Sequence, residues 1–279
     1  MIIFKKPLEL TEYCKSKQEN GASIGFVPTM GALHEGHIRL IQSSKQTNDQ
    51  TVCSVFVNPT QFNNATDFNT YPITIESDIE KLEAAGCDVL FLPSVDEIYP
   101  PQAIKKHFEL GYLETILEGK YRPGHFQGVC IVVDIFLSII PCNQLFLGEK
   151  DFQQCMVIRK MMELEKWPIE LVIVPTVREI DGLAMSSRNK RLSAAARSQS
   201  AVIYKAMLAI KQNLSSVSLT LLKAKAIETI AQEGFEIDYV DITDEALLPV
   251  KDWDGKTHLV VLVAASIHNT RLIDNLRLN

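Results

Sequence analysis

An excess of positive charge is the first thing this chain lacks. Its 279 residues hold 28 lysines and arginines against 34 aspartates and glutamates, a formal net charge of −6. Such a chain does not steer as a whole toward nucleic acid, so an anionic substrate must be met by local basic residues. Long apolar runs are missing too. The longest, Gly128 to Cys142, falls short of the ~20 residues a membrane span needs, and it contains Asp134. The opening residues, MIIFKKPLEL, lack the apolar h-region of a secretory signal, so the expected location is the cytoplasm. No CxxC pair occurs among Cys14, Cys53, Cys87, Cys130, Cys142 and Cys155. Most of them sit inside apolar runs, which suits buried reduced thiols better than disulfides or a metal centre. There is no repeat, no low-complexity tract and no Ser/His/Asp or Cys/His motif that would mark a covalent nucleophile. What remains, with 46% hydrophobic and 22% charged residues, is material for one large domain or two modest ones.

The chain is organised around Gly25 to Leu40, GFVPTMGALHEGHIRL. The apolar run from Ile24 to Val27 reads as a buried parallel strand, ended by Pro28. A turn of small residues with Gly31 and Ala32 follows. His34, Glu35, Gly36 and His37 come next, and then Ile38 and Ile41 share one side of a helical pattern. A strand, a glycine turn and a helix N-terminus in that order make an anion site. The first-turn N–H groups point at the ligand and the helix dipole favours negative charge. Two histidines three residues apart can both reach one phosphate, and imidazolium can neutralise charge on a phosphoryl transition state. Such a pair also suits a metal, but a metal wants a further ligand close by and only Glu35 is offered.

Further strands are expected at Thr51–Val57, Asp88–Leu92, Leu145–Leu147 and Ile169–Val174. Helices are expected at Ile75–Ala85, with Thr74 as N-cap and Gly86 just past the end, and at Gln127–Ile140 and Asp151–Trp167. This alternation predicts an α/β fold, a Rossmann-like doubly wound parallel sheet. From about Val177 the pattern changes to helices at Ser193–Leu214 and Leu219–Glu233, then strands at Phe235–Ile242 and His258–Ala265. That predicts a smaller α+β domain, with domains at 1–176 and 177–279. In parallel sheets ligands sit beyond the carboxyl ends of the strands. The informative polar residues fall there: Gln61 after Asn58-Pro59-Thr60, Lys150 after Gly148, and Ser186, Ser187, Arg188, Lys190 and Arg191 after the Asp181-Gly182 turn. Lys150 at a helix start opposes the dipole, which suggests an anionic partner. Two hydroxyls and several cations in six residues suit a triphosphate. Arg122 and His125, before a helix, suit phosphate or carboxylate.

The string HEGH matches the HxGH element of a nucleotidyltransferase superfamily. PTMGALHEGH, NPTQF, RPGHFQGV, GEKDFQQ, LAMSSRN and TRLIDN, in this order along nearly the whole chain, resemble the pantothenate synthetase family. Those enzymes are ligases that join pantoate to β-alanine with ATP. The resemblance implies a pantoyl adenylate intermediate, with release of AMP and pyrophosphate. It implies catalytic roles for His34, His37, Lys150 and Arg188. The implied ATP contacts are Met30, Gly31, Ala32, Leu33, His34, Glu35, Gly36 and His37, then Gly148, Glu149, Lys150 and Asp151, then Val177, Met185, Ser186, Ser187 and Arg188. Gln61 and Gln154 fall to pantoate. LAMSSRN is similar to the family's counterpart of the mobile KMSKS loop of aminoacyl-tRNA synthetases. ATP is then expected between the domains, with the second acting as a lid. Mg²⁺ is expected to be held mainly through the ATP phosphates, with no protein ligand assigned. The partners implied are small molecules and a second copy of the chain, not nucleic acid or membrane. Two positions depart from the family pattern, Ile73 where arginine is common and His268 where glycine is usual. The first lies beside Glu76 and Asp78, an acidic stretch otherwise suited to a metal or phosphate. The rivals are another HxGH nucleotidyltransferase and a non-catalytic nucleotide-binding module.

Overall fold

The structure, a computed structural model, describes residues 1–63, 68–101 and 106–279. The elements in chain order are β1 (Ile2–Phe4), α1 (Pro7–Glu19), β2 (Ile24–Thr29), α2 (Glu35–Thr47), β3 (Gln50–Val55), α3 (Ile75–Ala84) and β4 (Val89–Phe91). Two short helices follow, α4 (Val95–Ile98) and α5 (Leu117–Tyr121), and then α6 (His125–Ile139), β5 (Gln144–Gly148), α7 (Phe152–Glu165) and β6 (Glu170–Val174). The rest comprises α8 (Ala194–Gln199), α9 (Ala201–Gln212), α10 (Leu219–Gln232), β7 (Glu236–Asp244), β8 (Leu259–Ile267) and β9 (Thr270–Arg277). Two compact units result. One is Met1–Gly148 with Gln154–Pro175, and the other is Glu149–Gln153 with Thr176–Asn279. The short segment after β5 thus groups with the C-terminal residues, which a single cut near Val177 does not capture.

The first unit is built on a six-stranded sheet in the order β1-β4-β3-β2-β5-β6, parallel throughout. This is the expected doubly wound α/β sheet. Alternation along the strands feeds two faces. On one, Phe136 of α6 meets Phe26, Phe56 and Phe91 edge-on at 5.8–6.0 Å. On the other, Val27, Cys53 and Val55 pack with Ile41 of α2 and Leu82 of α3. The chain winds from β2 outward to β3 and β4, then returns to β5 beside β2. The order reverses between β2 and β5, so their carboxyl ends flank the topological switch point where such sheets bind ligands.

Pro28 does not end β2, as expected from sequence. It lies within the strand, in register with Ser54. Ile24 bonds toward β5, through Asn143, and the Thr29 carbonyl accepts from Phe56 on the β3 side. Alternation therefore turns the Pro28 nitrogen toward β5, whose pairing with β2 covers only Gly25 and Phe26. No ladder bond is lost there. Gly86, with φ +77°, follows the end of α3 as expected, and Thr74 is its N-cap position but makes no capping bond to backbone. All six cysteines are buried and none is in a disulfide. Burial pushes the Cys14, Cys87 and Cys142 thiols up to about 12, which keeps them protonated and inert at neutral pH. Among the described residues no helix is long and apolar enough to cross a membrane.

The second unit has an antiparallel sheet, β7-β8-β9. Val261, Val263 and Ala265 of β8 pack with Ile203, Met207 and Ile210 of α9 and Ile230 of α10. The helix expected over Ser193–Leu214 is broken at Ser200 into α8 and α9. Ser200 is buried, and its hydroxyl bonds the Ala196 carbonyl at 2.7 Å, a bond that competes with the helical ladder. The strand β9 carries TRLIDN and was not expected as a strand. Its apolar/polar alternation is masked because Asp274 and Asn275 are among its buried residues.

The β8–β9 hairpin turns at His268 (φ +43°) and Asn269 (φ +53°), two left-handed residues as a type I′ turn demands. Histidine is strained there, and glycine is not. His268→Gly should therefore raise stability by ~0.5–1 kcal/mol, the left-handed penalty less the entropy glycine loses on folding. Chemical denaturation checks this, and a loss of stability would show that the histidine ring contributes more than the turn strain.

Candidate active site

The turn that leaves β2 is held from beneath by one carboxylate. Gly31 (φ +81°) and Ala32 (φ +51°) are consecutive left-handed residues, which turns successive backbone N–H groups to one side. Asp78 of α3 accepts from Ala32 N at 2.9 Å and Leu33 N at 2.8 Å, and the Thr74 hydroxyl donates to it at 3.2 Å. Lys81, one turn on, donates to the Leu33 carbonyl at 2.7 Å. Gly31 N donates to the Thr29 hydroxyl, which in turn bonds the Ser54 carbonyl of β3. Asp78 is only 1% exposed. The acidic stretch suited to a metal or phosphate is thus corrected at Asp78, whose carboxylate is committed to the turn. Among the described residues no group of three or more His, Cys, Asp or Glu is placed to hold a metal.

His34 and His37 then start α2 by capping it with each other. His34 Nδ1 accepts from Gly36 N at 3.2 Å, and His37 Nδ1 accepts from His34 N at 3.3 Å, a capping box made of imidazoles. Their rings lie 4.1 Å apart. A nitrogen that accepts carries no proton. The cap occupies both Nδ1 atoms, so either ring would meet a ligand through Nε2. Gly36 is required by the cap, since a Cβ there would stand 2.8 Å from His34 Cε1 and 2.9 Å from its Nδ1.

Other predicted residues of the first unit gather near this turn. Gln61 Nε2 donates to Met30 Sδ at 2.9 Å, and Asn58 holds the Gln61 amide oxygen at 3.1 Å. Asn58 is buried, takes the Tyr99 hydroxyl at 2.7 Å and donates to the Gly128 carbonyl. His125 Nδ1 bonds the Gln61 carbonyl at 2.8 Å and its Nε2 faces Arg122 at 3.0 Å. His125 and Arg122, read from sequence as anion contacts, here brace the Gln61 turn. Asn58, Tyr99 and Asp78 escaped sequence reasoning as supports because each makes bonds to partners 41 to 70 positions away. Gly148 closes β5, and a Cβ added there meets no heavy atom within 4 Å, so the chain's own packing does not require glycine. Gln154 lies in the first turn of α7.

The second unit holds the remaining predicted residues. Glu149, Lys150 and Asp151 form a 3₁₀ turn before α7, with Lys150 Nζ 3.8 Å from Asp151 Oδ1. Val177 and Met185 pair across a hairpin that turns at Asp181-Gly182, as expected, with Met185 N donating to the Val177 carbonyl at 3.0 Å. Ser186 caps a 3₁₀ turn over Ser187–Arg191 by accepting from Arg188 N, and Ser187 is buried. The expected anion loop is therefore a capped turn that presents Arg188, Lys190 and Arg191 in succession.

The sequence model for pantoate–β-alanine ligases matches residues 2–277. The chain belongs to the pantoate–β-alanine ligase family. A pantothenate synthetase of Cytophaga hutchinsonii is 42% identical over 280 residues, covering 99% of each chain. A crystal structure of pantothenate synthetase from Thermus thermophilus matches at TM-score 0.93 with 38% identity, covering 100% of this chain and 99% of that one. A pantoate–β-alanine ligase of Francisella tularensis, complexed with β-γ ATP and β-alanine, matches at TM-score 0.82 with 37% identity over 100% of this chain and 98% of that one. For a family member that uses ATP, the imidazole cap should matter more to ligand binding than to folding. Gly36→Ala should leave stability within ~1 kcal/mol, because the helix-propensity gain offsets the lost cap. It should weaken ATP binding by ~1.5–3 kcal/mol, the scale of a hydrogen bond to a charged group. Calorimetric titration with ATP checks this, and unchanged affinity would show that the His34 ring position is immaterial.

Proposed function

We propose that the chain condenses pantoate with β-alanine to pantothenate at the expense of ATP. A pantoate carboxylate oxygen attacks the α-phosphorus of ATP, the bond to the β-phosphate oxygen breaks, and pyrophosphate leaves. The amine of β-alanine then attacks the acyl carbon of pantoyl adenylate, loses a proton, and displaces AMP. The observation that carries this reading is the imidazole pair at the carboxyl end of β2, whose Nδ1 atoms are taken by the helix cap and whose Nε2 atoms would be the donors to a phosphate. Donors fixed in advance suit an oxygen on which charge develops, because they need no reorganisation during reaction.

In this reading His34 and His37 stabilise the phosphates, with Lys150 and Arg188 supplying local positive charge in a net-acidic chain. Backbone from Met30 to Leu33, with Glu35 and Gly36, borders the nucleotide. Gly148, Glu149, Asp151, Val177, Met185, Ser186 and Ser187 complete its contacts. Gln61 and Gln154 read pantoate, since an uncharged amide suits the hydroxyl and carboxylate of a hydroxy acid. Mg²⁺ would be held mainly through the ATP phosphates, whose charge it would offset. A C-terminal lid, a homodimer and a cytoplasmic location belong to the same proposal, supported by the family resemblance.

The half-reactions separate the roles. The wild-type protein should exchange pyrophosphate into ATP with pantoate and without β-alanine. His37→Ala should depress this exchange by ~10²–10³, the usual effect of removing one preorganised donor. Given preformed pantoyl adenylate and β-alanine, the same variant should form pantothenate at a nearly normal rate. Equal slowing of both half-reactions would remove His37 from the phosphate step. No exchange without β-alanine would contradict a free adenylate.

A further inference from the structure

The C-terminal strand β9 reaches the segment that carries Lys150. That segment leaves β5 and enters α7 through the 3₁₀ turn over Glu149–Asp151. Asn275 bonds two of its carbonyls. Its Nδ2 donates to the Glu149 carbonyl at 2.8 Å and to the Lys150 carbonyl at 2.8 Å. An amide NH₂ has two protons, and both are used. Asn275 is 3% exposed, so neither carbonyl has water as a ready substitute on that side.

Asn275 is itself held. Arg178 forks onto the Asp274 carboxylate, with Nη1 to Oδ2 at 2.6 Å and Nη2 to Oδ1 at 3.1 Å. The same Nη2 donates to the Asn275 carbonyl at 2.9 Å, and Asp274 Oδ1 accepts from Asn275 N at 2.8 Å. Arg178 also stacks over Tyr204 of α9, its guanidinium carbon 4.3 Å from the ring centre. A rigid guanidinium thus fixes the backbone on both sides of the amide that grips Lys150.

We infer that Asn275 is a positioning residue for adenylation, holding the Lys150 backbone so that its ammonium is placed before ATP arrives. The inference rests on the proposed role of Lys150 in the first half-reaction. Asn275 touches neither substrate nor reacting atoms in this account, and it acts through Lys150. A misplacement of about 1 Å in a charged group is worth ~10²-fold in rate. Simple structural support would lower both half-reactions alike, whereas positioning of Lys150 lowers only the first.

The test is a double-variant cycle on Asn275→Ala, Lys150→Ala and the pair, read in both half-reactions. Asn275→Ala should slow pantoate-dependent exchange of pyrophosphate into ATP by ~10²-fold and leave the pantoate KM within about threefold, on the scale of near-additive error. Its reaction of preformed pantoyl adenylate with β-alanine should stay near wild type, which also reports a folded protein. The double variant should be no slower than Lys150→Ala alone, because the amide has nothing left to position. Asn275→Ser, which keeps one donor for two carbonyls, should lie between wild type and Asn275→Ala, and it serves if the alanine variant does not fold. Equal losses in both half-reactions, or losses that multiply in the double variant, overturn the positioning role. A wild-type protein that shows no exchange overturns the ligase reading instead, a distinct result.

Discussion

Everything proposed for the phosphate end of the site depends on one buried carboxylate beneath one turn. Asp78 receives the N–H groups of Ala32 and Leu33, next to a pair of left-handed residues. Backbone N–H groups in such a turn are strong donors, and left unpaired away from water they destabilise the fold. A carboxylate buried alone is more unfavourable still, so neither partner is tolerable without the other. Together they fix the direction in which β2 hands the chain to His34. The imidazole capping box then follows from geometry, since His34 and His37 sit at the N-cap and third helical positions, where side chains and backbone N–H groups meet reciprocally.

The same device recurs at the far end of the chain. Asp274 is buried, burial raises its pKa, and the Arg178 guanidinium pulls the other way. Its oxygens accept from Arg178 and from the Asn275 backbone, so the charge is met by three N–H donors in fixed positions. In both places a buried acid does no chemistry in the proposed reaction. It holds backbone beside a group that does. A carboxylate that flanks a nucleotide motif in sequence is therefore a poor guide to a metal, because structural and ligating acids look the same until their partners are known.

The fold was largely legible where periodicity and punctuation agreed. The run Ile24–Val27, the second strand after it and the helix after Thr74 follow directly from apolar alternation and caps. The strand β9 was illegible for a physical reason, because Asp274 and Asn275 are buried polar residues paired to partners from distant stretches. Pro28 misled because the rule against proline in strands depends on which side the missing N–H would face, and sequence does not say. At the candidate site, HEGH, GEKD and MSSR were visible as types and spacings. The partners that fix their geometry were not. Asp78, Asn58, Tyr99 and Asn275 act through hydrogen bonds to backbone or to distant residues, and such bonds leave little pattern in one sequence.

The Asp78 carboxylate holds the turn that aims the two histidines. Amide hydrogen exchange at Ala32 and Leu33 measures this most directly, in the wild-type protein and in Asp78→Asn. The variant keeps the shape but presents an NH₂ to one of two N–H donors. Exchange should be slow at both amides in the wild type and locally faster in the variant, with a stability loss of ~1–3 kcal/mol, the scale of one buried donor left unsatisfied. Equal protection of both amides in the two proteins, with stability unchanged, would contradict it.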